Sequence, residues 1–397
     1  MRPLAQKLLA DRVFDIEFHG YLTNHVKHAI IALDRLQAPN ERVQEYWNVY
    51  TKSTPYNLPL HKVEKDWEQV TLATLDEWKQ WRGRKHNWQQ QVALMNQELE
   101  ARHGDTNQLV SDFVPDILSG MMGALTHGII HLGWAIDADS PWMITEGLAY
   151  LNFAYVGIPE SKLTWNAVDE AEPMDSLQRV AQIWKEQDLG TTWIAQTKAL
   201  YDETFHPELV PAGFQWEYAK VVDQPHAVAT QLPTWIANKN LNDLWESLYR
   251  ATVYVYLATR DMKGNGNFLV LHLMTSLWAL EKTLLVVNDE TVTRKAIGYY
   301  YAGLVCLLST ASNGFPAATS LAAIQTKFPA NAVDADKLDW TETVAVGIAE
   351  EEEHNIKLVY VMKELWHRYN HWKGFSEAAR SFTLTPNVGP QQAAFTQ

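Results

Sequence analysis

The chain carries one cysteine, Cys306, inside the apolar run AGLVCLLST. A disulfide framework is therefore excluded, and so is any thiolate metal cluster. No run of lysines or arginines reads as a binding arm, and the formal charge over 397 residues is −14. Nucleic acid and anionic membranes demand basic surfaces, so neither is expected as a partner. Long apolar runs are also scarce. The most hydrophobic window, AIGYYYAGLVCLLSTA, ends in Ser-Asn-Gly after about sixteen residues, short of the roughly 20 that a bilayer span needs. It reads as a buried core helix. The N-terminal MRPLAQKLLADRVFD meets acidic residues before any apolar core of useful length, so no secretory signal is expected and the expected compartment is the cytosol.

Several motifs are missing too. Gly264-Asn-Gly266 has no third glycine and follows no strand, so it reads as a turn and not as a dinucleotide fingerprint. There is no Walker loop, no G-x-S-x-G elbow and no H-E-x-x-H pair. If the chain is an enzyme, a metal is left to carry the hard chemistry.

Helical periodicity dominates what is present, and no segment alternates as a strand. Leu22, His25, Ala29, Ala32, Leu33 and Leu36 share one stripe, which Pro39-Asn40 interrupts. Further helices are predicted over 64–102, 107–119, 120–136, 142–156, 173–202, 213–229, 239–260, 267–285, 289–311, 315–327 and 338–371. The expected fold is all-α: one large helical-bundle domain over 1–383, or two helical lobes, around a central metal site. An extended or disordered tail is expected over 384–397. Seventeen tryptophans and sixteen tyrosines argue for aromatic-lined interiors or a pocket for a flat apolar ligand.

Fourteen histidines divide by context. His19, His61, His86, His103, His206, His226, His367 and His371 lie among charged, turn or Trp-rich residues and read as surface groups. Six lie on apolar helix faces. His127 and His131 in LTHGIIHLGWA are four apart, about 40° around a helix, on the face of Ala124 and Trp134. His25 and His28 in NHVKHAI are about 60° apart by the same geometry. His272 is flanked by leucines, and His354 heads a stripe with Leu358, Val361 and Leu365. Any one alone reads as a core histidine bonded to a carbonyl. Six on four helices that can converge read as a metal site of the kind bundles build. Imidazole suits Fe, Zn, Cu and Ni, and the carboxylate-poor surroundings point away from Ca.

Lys357 follows His354 by one turn. It either snorkels to water or, buried beside a cation, is a neutral amine able to capture CO2 as a carbamate ligand. The run Glu350-Glu351-Glu352-Glu353 reads as a solvated first turn that complements the helix dipole. The spacing Glu351-x-x-His354 matches di-iron bundles, but such matches arise freely in this composition.

The blocks NHVKHAIIALDRLQAP, HGIIHLGWAID, LHLMTSLWAL and EEEHNIKLVYVMKEL, in that order, resemble the questin oxidase-like family over about Phe18 to Trp366. Fungal members oxidatively open anthraquinone rings. The resemblance implies a mononuclear non-haem iron, Fe(II) at rest, held by several histidines and a carboxylated lysine, here Lys357. It ranks His131, His272, His28 and Lys357 as ligands first, with His127, His25 and His354 as ligands or as groups fixing tautomers. The chain departs from the pattern at Ala29, where many relatives carry a further histidine.

The expectation is therefore an iron-dependent oxygenase acting on a small aromatic or quinonoid, polyketide-like substrate with O2. Lys357, His131 and His272 are expected to carry the reaction. Three rivals stay open: a metal-free NADPH-dependent Baeyer–Villiger-type oxidase, a metal-dependent hydrolase, and a non-catalytic helical binding protein.

Overall fold

The computed structural model describes residues 1–18, 22–84, 87–166, 168–199, 214–311, 314–334 and 339–386. Three of the surface-assigned histidines (His19, His86 and His206) and tail residues 387–397 lie outside these. The fold is all-α: 65% of the chain is helical and 4% is strand. Among the described residues the strands are two-residue pieces. Glu17–Phe18 pairs antiparallel with Leu22–Thr23, and Thr164–Trp165 pairs parallel with Gln231–Leu232. Most buried apolar side chains from Ala5 to Ala379 form one large cluster, and Ile16, Ala124, Tyr150, Phe153 and Ala154 form a small second one.

Six of the helices frame the interior and are labelled here: α1 (Val26–Arg35), α2 (Asn40–Tyr50), α3 (His127–Asp137), α4 (Pro141–Phe153), α5 (Phe268–Val287) and α6 (Glu353–Arg368). α3 packs between α4 and α5, and α6 packs on α1. The crossings are close because glycine sits at them. A Cβ at Gly133 would lie 2.3 Å from the Cα of Ala279, and one at Gly147 would lie 2.8 Å from the Cα of Leu132. Backbones in such contact bring the histidines of α3 and α5 within reach of each other.

Several predicted helices are shorter than periodicity suggests. The segment 64–102 is split into Trp67–Gln69, Leu75–Gln80 and Trp88–Ala101. Gly83 and Asn87 take left-handed φ values of 73° and 60° there, and Thr74 opens a new helix with a capping box to Glu77. Likewise 173–202 breaks near Asp188, at φ 47°, and 338–371 breaks before Glu353. The most consequential difference is at 120–136, where the helix begins only at His127. Ala124, Leu125 and Thr126 are all left-handed, with φ of 46°, 53° and 67°. Ala124 therefore does not share a helical face with the histidines.

α5 is long and apolar enough to cross a membrane, but 78% of its apolar window is buried inside the protein. The window around Cys306 forms the helix Glu290–Thr310, in which the cysteine is fully buried, as expected of a core helix.

Candidate metal centre

All six histidines assigned to apolar faces are buried, none more than 6% exposed. His25 lies just before α1, His127 is the first residue of α3, His272 is one turn into α5, and His354 is the second residue of α6. One ring nitrogen from each of these four lies within 4.8 Å of the others. Such a group could hold a metal ion.

Hydrogen bonding on the far side of each ring decides what the near side offers. His272 Nδ1 faces the carbonyl of Phe268 at 2.8 Å, and His127 Nδ1 faces the carbonyl of Ala124. His354 Nδ1 lies 2.5 Å from Glu352 Oε1. A carbonyl or carboxylate oxygen only accepts, so each Nδ1 carries the proton and each Nε2 is left with a bare lone pair. His354 Nε2 is buried with no hydrogen-bond partner among the described residues. The two bare nitrogens of His127 and His272 face each other at 3.2 Å. Two lone pairs in a dry interior repel unless something positive lies beside both. A proton is disfavoured, since burial holds His127 well below the ordinary histidine range and His272 down to about 3. A metal ion fits. Two imidazoles on one ion at about 2.1 Å place their nitrogens roughly 3.0–3.4 Å apart. Holding the outer nitrogen with an oxygen acceptor is also how metal-bound histidines are oriented.

The backbone before α3 brings such an acceptor to His127. Three left-handed non-glycine residues cost on the order of 1–3 kcal/mol each. In return the Ala124 carbonyl meets the His127 ring three residues on. Gln215 clamps the turn, accepting from Ala124 N at 2.5 Å and donating to the Ala154 carbonyl at 2.9 Å.

His28 and His131 stand behind His25. His25 Nδ1 is 3.0 Å from His28 Nδ1, and His28 Nε2 is 2.8 Å from His131 Nδ1. His131 Nε2 faces Glu146 Oε2 at 3.6 Å, and the same oxygen accepts from Lys27 Nζ at 2.9 Å. Burial alone would raise the Glu146 carboxyl, but Lys27 and His131 hold it below the ordinary glutamate range.

Lys357 is fully buried, and its Nζ lies 3.0 Å from His25 Nδ1. Burial lowers its affinity for a proton, against the pull of Glu353 and Glu352. The protonation state matters to His25. An ammonium has only donors, so it would claim the lone pair at Nδ1 and drive the ring proton to Nε2. A neutral amine leaves Nε2 bare.

The acidic run before His354 is not a solvated turn as a whole. Glu351 is exposed and pairs with Arg42, but Glu352 is 4% and Glu353 0% exposed. Glu352 orients His354 and accepts from Thr385 Oγ1 at 2.5 Å. Glu353 accepts from Tyr56 at 3.0 Å and from Tyr50 at 3.4 Å. Tyr50 also accepts from His25 N, and it lines a surface cleft of 290 Å³ with Tyr46 and Glu351. The surroundings are therefore richer in carboxylate than the sequence suggests. Glu352, read from the sequence as part of a solvated first turn, is buried beside His354, and Glu146 carries no expectation from the sequence. A lone acid in the apolar stretch PWMITEGLAYLNF was the available signal for Glu146, because a buried charge needs a partner.

No curated protein matches the chain. The family model described as Questin oxidase-like matches residues 22–362, a span that holds all six buried histidines, Lys357, Glu146 and Glu352. With most of its length and its whole histidine cluster inside that match, the chain belongs to the Questin oxidase-like family.

Proposed function

We propose that the protein is a non-haem iron-dependent oxygenase acting on an aromatic or quinonoid, polyketide-like molecule with O2. Family membership supports an oxidase acting on polyketide-type substrates. The observation that carries the metal is the set of three histidines, His127, His272 and His354, each with Nδ1 held by an oxygen acceptor and Nε2 bare in a buried group. His25 completes the four, and Lys357 stands against it. Imidazole donors suit iron and zinc alike, but zinc has no redox chemistry and an oxidase needs it. Iron at this site would supply the one-electron steps that O2 requires to react with a closed-shell aromatic molecule.

The chain's own part is to fix donor geometry, keep the site dry and hold charge near it. A neutral Lys357 can form a bond from Nζ to the carbon of CO2, releasing one proton and leaving a carbamate. That group is a long-armed carboxylate, and its negative charge would favour oxidised iron. Phe268, with its ring 4.7 Å from those of both His272 and His354, gives the site an apolar wall.

Oxygen uptake tests the reading. Apo-protein reloaded anaerobically with Fe(II) or with Zn(II) is mixed with a hydroxyanthraquinone and O2, with and without NADPH. A dioxygenase places both oxygen atoms in the product and consumes no reductant. A Baeyer–Villiger-type oxidase places one there and takes two electrons from NADPH to turn the other into water. Either result with iron alone supports the proposal. Equal turnover with zinc, or turnover without O2, overturns it. Lys357→Ala is expected to lose iron or turnover while staying folded. Full activity in that variant removes Lys357 from the site.

A further inference from the structure

We propose that Glu146 is a positioning residue for the metal site, fixing through His131 and His28 which nitrogen of His25 is free to bind metal. The inference rests on the four-histidine metal reading and deepens it.

Glu146 is 4% exposed and its Oε2 faces His131 Nε2 at 3.6 Å, just beyond hydrogen-bond distance, and Nε2 has no hydrogen-bond partner among the described residues. A bare Nε2 opposite a carboxylate oxygen would set two electron-rich atoms against each other in a dry interior, so the proton sits on Nε2. His131 Nδ1 is then an acceptor, and the contact at 2.8 Å makes His28 Nε2 the donor to it. His28 Nδ1 is an acceptor in turn, and the contact at 3.0 Å makes His25 Nδ1 its donor. His25 Nε2 is thereby left bare. Each neutral imidazole has one proton, so with Lys357 a neutral amine beside His25 Nδ1 a single acceptor at the head of the chain sets all three rings. Reversing the chain would put the proton on His25 Nε2 and leave Nδ1 as the bare nitrogen instead.

The same reasoning explains why a buried ion pair sits on an apolar helix face. Lys27 and Glu146 are 6% and 4% exposed, and such pairs are often less stabilising than apolar residues of similar volume. Lys27 keeps Glu146 ionised and hence a pure acceptor. A carboxylate needed only as counterion to Lys27 would have no reason to face His131.

The test titrates apo-protein with Co(II), whose visible spectrum reports the number of nitrogen ligands. The variant Lys27→Met/Glu146→Leu removes both charges and the acceptor together, which leaves no unpaired ion. Its Co(II) affinity is expected to fall about 10–100-fold, with a changed visible band. Lys27→Met/Glu146→Gln keeps an accepting oxygen and is expected to recover most of the affinity. His131→Phe breaks the chain while leaving the ion pair, so it serves if the leucine variant does not fold. It should show the same loss. Wild-type affinity and spectrum in both the leucine variant and His131→Phe overturn the proposal but leave the metal site standing. A glutamine variant as weak as the leucine variant also overturns it, since the accepting oxygen would then not be what matters. Failure of the wild type to bind Co(II) is a different result, and it defeats the metal reading itself.

Discussion

Glu352 converts a buried histidine into a directed donor by holding His354 Nδ1 at 2.5 Å, so that Nε2 is bare. Glu352→Ala is expected to weaken metal binding about 10–100-fold in a folded protein, read by competitive zinc titration. Unchanged affinity would mean that something other than this carboxylate aims His354. At this scale the six buried histidines were legible in the sequence, because helical spacing puts each on an apolar stripe. Their partners were less so. Four glutamates at the start of a helix ordinarily face water, and nothing in EEEHNIK distinguishes the exposed Glu351 from the buried Glu352 and Glu353. That depends on Tyr50, Tyr56 and Thr385 arriving from distant segments.

The segment preceding α3 shows what periodicity cannot see. Apolar spacing runs on through MMGALTH, yet the chain takes three left-handed residues and starts its helix at His127. Tertiary contact overrides local preference there, since Gln215 supplies the acceptor for Ala124 N and ties the turn to Ala154. Gln215→Ala would leave a buried backbone N–H without its partner, a cost of about 1–3 kcal/mol. Urea denaturation should show that loss, together with weaker metal binding as His127 drifts from its carbonyl. A variant as stable as wild type would show that the turn holds itself. The close crossings at Gly133 and Gly147 were equally hidden, because a glycine inside a helical pattern does not say which neighbour it admits.

Across the whole molecule, helical periodicity was enough to indicate an all-α fold, and the order of histidine blocks was enough to indicate the family. Which rings touch was not, since His28 meets His131 across 103 residues and His127 meets His272 across 145. Those distances are set by helix crossings. The arrangement has a cost that pH reveals. Burial depresses all six imidazoles below their ordinary value of 6.5, and His272 to about 3. In the unfolded chain they take up protons below about pH 6.5, while in the folded apo-protein they do not. The unfolded state therefore binds more protons, and stability present above 6.5 is lost as pH falls. Each such proton steepens the loss by about 1.4 kcal/mol per pH unit. Chemical denaturation of apo-protein between pH 7.5 and 5 should show this steep decline. A flat profile would mean that the rings are not buried and neutral together.

The central claim is that the four histidines gather around a metal, and its most direct test is metal content. Elemental analysis of anaerobically purified wild type, beside His272→Ala and Lys357→Ala, is expected to find near one iron per chain in the first and little in the variants. A wild type without metal, folded and as stable as its variants, would contradict the account and return the histidines to the role of buried core residues.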